Sequence, residues 1–141
     1  MIQEKATGYE SLKQIREREK KEVEAKQRKQ CEAFATEKYG EQLVQWSNAN
    51  GGVWYMPTFD EAGEITHLAI MKPVNRHILS HASTKLEDDG LYTFLEVCMR
   101  ECLLNDDDCG LYIVDNEEAF ISGSMKFNKM LEGKKVAFLK R

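Results

Sequence analysis

Two i,i+4 pairs carry the residue types that bind a transition metal. His77 and His81 are four apart, and so are Cys98 and Cys102. On two packed helices such pairs would supply the two nitrogens and two sulfurs of a tetrahedral zinc site. The competing reading is packing. Cys98 and Cys102 fall on the most apolar stripe of the chain, where a free cysteine behaves as a small hydrophobe. Spacing of four is equally the spacing of a buried helical stripe. Core cysteines are therefore expected, with no metal and no cofactor, and the His77, His81, Cys98, Cys102 set stands as the alternative.

Other candidates for chemistry weaken on inspection. Cys109 follows Asp106-Asp107-Asp108, and neighbouring carboxylates raise a thiol pKa, which disfavours an activated nucleophile. Asp106, Asp107, Asp108, Asp115 and Glu117 suggest a calcium loop, but the ligand spacing and central glycine of an EF-hand are missing. A solvated, helix-terminating acidic loop is the simpler reading. No GxSxG, P-loop or GxGxxG pattern occurs, and His67, on a predicted strand, has no evident partner. Acid, base and nucleophile do not assemble at convincing spacing, so the chain is read as a non-enzyme.

The elements that would position these residues read as α+β and mostly helical: a small β-hairpin packed on a helical core, preceded by a long charged helix. Ser11 to about Ser47 reads as that helix. Glu17→Lys21, Glu22→Lys26 and Glu24→Arg28 are acid-before-base pairs at i,i+4, the orientation that supports an isolated helix. Gly40 either kinks or divides it. Leu12, Ile15 and Val23 are sparse apolar residues on its charged stretch, whereas Phe34, Tyr39, Leu43, Val44 and Trp46 crowd its end. Two readings stay open: a solvated helix that docks only its last third, or an arm whose Leu12, Ile15 and Val23 meet a partner.

Asn48-Ala49-Asn50-Gly51-Gly52 is a breaker, which divides the chain into a charged helical arm (1–48) and a small α+β domain (51–141). Val53–Phe59 and Ile65–Met71 flank a turn with Gly63 at its positive-φ position, a β-hairpin. Pro57 lacks a donor, which makes the first strand an edge strand. A helix is expected from Asn75 to about Lys85, with Pro73 in a loop or its first turn. Glu87-Asp88-Asp89-Gly90 reads as the start of a helix over Leu91–Leu104 with Leu91, Phe94, Leu95, Cys98 and Cys102 on its buried stripe. Leu111–Val114 reads as a strand or extended run, and Asp115 as the N-cap of a last helix buried through Phe120, Ser124, Phe127 and Leu131. Within it, Ser122-Gly123-Ser124 marks either a bend or a close backbone approach. Val136–Leu139 reads as a terminal strand.

Among 141 residues, the first 50 carry 10 Lys/Arg against 9 Asp/Glu and the remainder 10 against 15. An acidic core region argues against nucleic-acid binding, which needs clustered positive charge. There is no apolar h-region at the start and no apolar run near the roughly 20 residues that span a bilayer. Cys31, Cys98, Cys102 and Cys109 are then expected as reduced thiols in a cytosolic protein.

Several features follow one another in a telling order. The second strand runs into Lys72-Pro73-Val74-Asn75-Arg76; a later helix ends in Glu101-Cys102-Leu103-Leu104-Asn105-Asp106-Asp107; Asp115 precedes a helix with an early Phe120; and the chain ends in Lys134-Lys135-Val136-Ala137-Phe138-Leu139-Lys140-Arg141. In this order, residues from about 52 to 141 resemble the tail assembly chaperones of long-tailed bacteriophages and prophages. The resemblance implies a non-enzymatic protein that coats the tape measure protein during tail assembly and self-associates as a homo-oligomer, in the host cytoplasm. It transfers no active-site residues. The long charged N-terminal helix, which typical members lack or shorten, departs from the pattern and leaves a virion structural or adapter protein as a further alternative.

Overall fold

The computed structural model describes residues 11–133 and 136–141. Its fold is α+β and mostly helical, with one two-stranded antiparallel hairpin packed on helices. Helix α1 (Leu12–Tyr39) opens on a capping box: the Ser11 hydroxyl accepts from Gln14 N at 3.1 Å and the Gln14 side chain accepts from Ser11 N at 2.9 Å. Gly40 divides the expected long helix. Its φ of +55° with ψ of −123° is backbone that only glycine adopts freely, and α2 (Glu41–Asn50) starts directly after it.

Strand β1 (Trp54–Phe59) pairs with β2 (Ile65–Met71), with Pro57 opposite Leu68 and Tyr55 opposite Ile70. The Asp60 carboxylate closes the turn by accepting from Ala62 N and Glu64 N, each at 2.9 Å. Side chains alternate across a strand, and here both faces of β2 are covered. Leu68 and Ile70 pack with Cys31, Ala35 and Leu43 of α1 and α2. Ala69 and Met71 pack on the opposite side with residues of α3 (Arg76–Ser83), α5 (Leu91–Cys102), α6 (Asp108–Asp115) and α7 (Glu117–Glu132). The hairpin is thus the middle of three layers, which supplies the apolar cover that an isolated hairpin lacks. Packing crosses the breaker at residue 50, and the packed unit begins near Gln30.

Several expectations need correction. Leu111–Val114 lies inside α6, not in a strand: the Asp107 side chain accepts from Gly110 N at 2.9 Å and starts a helix there. Ile113 and Val114 are buried while Leu111 and Tyr112 are half-buried, the graded exposure of a helix on a core. Asp115 ends α6, and Asn116 caps α7 by accepting from Ala119 N at 3.0 Å. Glu87–Asp89 belong to a separate turn, α4 (Leu86–Asp89), which Gly90 separates from α5. In α5 the buried residues are Leu95, Cys98, Met99 and Cys102, whereas Leu91 lies 44% exposed at the end of the core. Val136–Leu139 forms no strand, and Val136, Phe138 and Leu139 are almost fully exposed; Lys134 and Lys135 lie outside the described residues.

Gly123 resolves the choice at Ser122–Ser124. Helix α7 runs through without a break, and a Cβ on Gly123 would sit 2.7 Å from Ile113 Cδ1 and 3.1 Å from Met56 Sδ. Close approach is what the glycine permits.

Candidate functional site

The histidine and cysteine pairs sit in different environments. His77 and His81 are exposed on α3, whereas Cys98 and Cys102 are fully buried in α5. His81 Nε2 reaches Glu101 Oε1 at 3.5 Å, and the described residues contain no group of three or more His, Cys, Asp or Glu able to hold a metal ion. Burial pushes Cys102 up to about 11 and, with Glu101 adding to it, raises Cys98 also. Cys31 rises to about 11, mainly from burial and then from Glu32. All four cysteines are free thiols. Thiols held protonated in an apolar stripe are poor nucleophiles.

Asn105 and its surroundings close the outer edge of β2. Lys72 N donates to Cys102 O at 2.8 Å, and Leu104 N donates to Ile70 O at 2.8 Å. Beyond that point the chain turns away and a side chain substitutes for backbone. Asn105 Oδ1 accepts from Ile70 N at 2.8 Å and Nδ2 donates to Leu68 O at 2.7 Å. Cys109 Sγ accepts from Leu68 N at 3.3 Å. Asn105 Nδ2 also donates to Tyr39 Oη at 2.9 Å, and Tyr39 Oη donates to Asp107 Oδ2 at 2.8 Å. Burial and the Asp107 carboxylate hold the Tyr39 hydroxyl well above the usual tyrosine range. Gly110 is packed against this network, since a Cβ there would lie 2.0 Å from Asn105 O. The cluster is a structural lock between α1, β2 and α6. In the sequence Asn105 and Gly110 read only as the two ends of a segment that stops the preceding helix, since neither type nor spacing marks an asparagine that imitates a strand.

The other edge of the hairpin follows from these bonds. Leu68 and Ile70 direct their peptide groups away from β1, so their partners Pro57 and Tyr55 direct theirs to the far side. Pro57 therefore removes no bond from the ladder. Its missing N–H falls on the outer edge of β1, where it blunts pairing with another strand.

The N-terminal helix has the clearest interaction geometry. Gln30 Nε2 donates to Gly63 O at 3.2 Å, which fixes that point of α1 at the hairpin turn. From there Cys31 and Ala35 pack along the sheet, Tyr55 Oη donates to Glu32, and Tyr39 reaches the Asn105 lock. Cys31 and Ala35 are the buried residues of α1. Leu12 to Gln30 runs on past the turn for about 27 Å at 1.5 Å per residue. Leu12 is 70% and Val23 53% exposed, while Ile15 is half-buried. This stretch carries eight Lys/Arg against four Glu, net +4, whereas residues 31–141 carry 11 against 18, net −7. Totals over the first 50 residues conceal that split, and a count over the protruding stretch alone would have found it.

Comparison with protein-family models, curated proteins and solved structures finds no match for this chain. No helix among the described residues is long and apolar enough to cross a membrane.

Proposed function

We propose that this chain is a non-enzymatic protein-binding assembly factor, acting as a tail assembly chaperone does when it coats a tape measure protein. The observation that carries the protein-binding part of this reading is the projecting arm; the tape measure protein as its partner rests on the resemblance of residues 52–141 alone. A helix that leaves its own domain with Leu12 and Val23 exposed gains little from its own chain. Acid-before-base spacings such as Glu17 and Lys21 would contribute only a few tenths of a kcal/mol each, whereas most helical stability in proteins comes from tertiary packing. Apolar contact from another protein supplies what is missing. The tape measure protein that the resemblance implies is the partner proposed to supply it. The arm also suits the further alternative, an adapter kept in the finished particle, since that role too needs a reach beyond the domain.

Co-expression with a phage tape measure protein carrying an affinity tag tests the reading. Several copies of the chain should co-purify per tape measure protein, and Leu12→Asp with Val23→Asp should reduce that recovery severalfold. A tape measure protein that purifies alone, or variants that co-purify undiminished, would contradict it.

A further inference from the structure

We infer that two copies of this chain pair antiparallel along α1, each placing its basic arm on an acidic pole at the other end of its partner's helix. The inference deepens the protein-binding reading above, on which it rests, by naming one partner as a second copy and naming both contact surfaces.

Both surfaces are fixed by the fold. The arm, Leu12–Gln30, is net +4. The pole lies where α1 ends: Glu37 and Glu41 flank Gly40, and the Tyr39–Asp107 bond at 2.8 Å ties the loop Asp106-Asp107-Asp108 to the same place. Those five carboxylates against Lys38 make the pole net −4, with Glu37, Glu41, Asp106 and Asp108 exposed. Arm and pole cannot meet within one chain. Lys20 lies about 28 Å from Tyr39 along the helix axis and Lys13 about 39 Å, with the hairpin packed between.

Antiparallel pairing brings each arm to the other copy's pole at once. The contact is then isologous and closes at two copies, whereas a one-sided contact would propagate. Apolar residues fit the same alignment: Leu12 on the arm is 70% exposed and Val44, on α2 at the pole, is 57% exposed. Opposite charge would mainly steer the encounter and fix the register, with salt weakening it. A lipid surface fits less well, because the arm presents isolated apolar residues and not a continuous apolar face.

Charge exchange tests the inference on the full chain. Lys13→Glu, Arg16→Glu and Lys20→Glu take the arm from +4 to −2, and Glu37→Lys, Asp106→Lys and Asp108→Lys take the pole from −4 to +2. Circular dichroism with thermal melting selects variants that keep the wild-type fold; single reversals from each set replace any triple that does not. Sedimentation equilibrium should show the wild type as a dimer whose dissociation constant rises with salt. Each reversed variant alone should dimerise at least about tenfold more weakly, and an equimolar mixture of the two should recover a 1:1 dimer. A monomeric wild type, larger open assemblies, or a dimer indifferent to salt and reversal overturns the inference. So does an arm that binds an unrelated single-stranded RNA while the chain stays monomeric. A monomeric chain that still co-purifies with the tape measure protein would fail this inference alone and leave the assembly-factor reading standing.

Discussion

Replacing Asn105 by alanine leaves the buried Ile70 N–H and Leu68 C=O without their side-chain partners. Each orphaned group costs roughly 1–3 kcal/mol, so Asn105→Ala should lower stability by about 2–5 kcal/mol in chemical denaturation. Asn105→Asp keeps an acceptor for Ile70 N but sets a carboxylate against Leu68 C=O. Its loss should be largest near neutral pH and should shrink as the carboxyl protonates in acid. The thiols give a second titration of the same sign, in a more alkaline window. Burial raises Cys31 and Cys102 from 9.0 to about 11, so between those values the folded chain keeps two protons that the unfolded chain gives up. Stability from this source is complete below pH 9 and is lost as pH climbs to about 11. Tm measured across that window should fall, and Cys102→Ala should flatten part of the slope; a Tm flat from pH 9 to 11 in the wild type would refute the burial argument.

Elements whose pattern is local were legible in the sequence. The hairpin, its Gly63 turn, the helix starting after Asn75 and the buried stripe through Leu95, Cys98 and Cys102 follow from periodicity and turn chemistry. Leu111–Val114 was misread because four consecutive apolar residues suit a buried strand and a buried helix equally. The deciding facts are non-local: Asp107 caps a helix there, and residues 102–105 already occupy the edge of β2 where a strand would have paired. The arm was legible as a charged helix, whereas its point of departure at Gln30 depends on a contact 33 residues away. Two glycines test the packing between elements. Gly110→Ala would set its Cβ 2.0 Å from a backbone oxygen, which forces α6 away from the Asn105 lock. Gly123→Ala would meet the movable side-chain ends of Ile113 and Met56, at 2.7 and 3.1 Å. Overpacking typically costs about 1–3 kcal/mol, and Gly110→Ala should exceed Gly123→Ala in loss of Tm because backbone yields less than a side chain. The reverse order would place the tighter contact at α7.

At the scale of the whole molecule the protein has two unequal parts: a three-layer body that holds itself together, and a helix that extends beyond it. Leu95→Ala, at the centre of the larger core cluster, should cost about 2–5 kcal/mol and destabilise the body as one unit. Leu12→Ala removes a contact that the body does not make, so its effect on the melting of a dilute sample should be within about 0.5 kcal/mol. Hydrogen exchange read by mass spectrometry, on peptides covering residues 12–29 and 31–39, compares the two parts of one helix directly. Residues 31–39, which carry Cys31 and Ala35 against the sheet, should be protected at every protein concentration. Residues 12–29 should exchange rapidly in dilute solution and become protected as concentration rises or a partner is added. Equal protection of both peptides at high dilution would mean that the arm is held by its own chain, and would contradict the account.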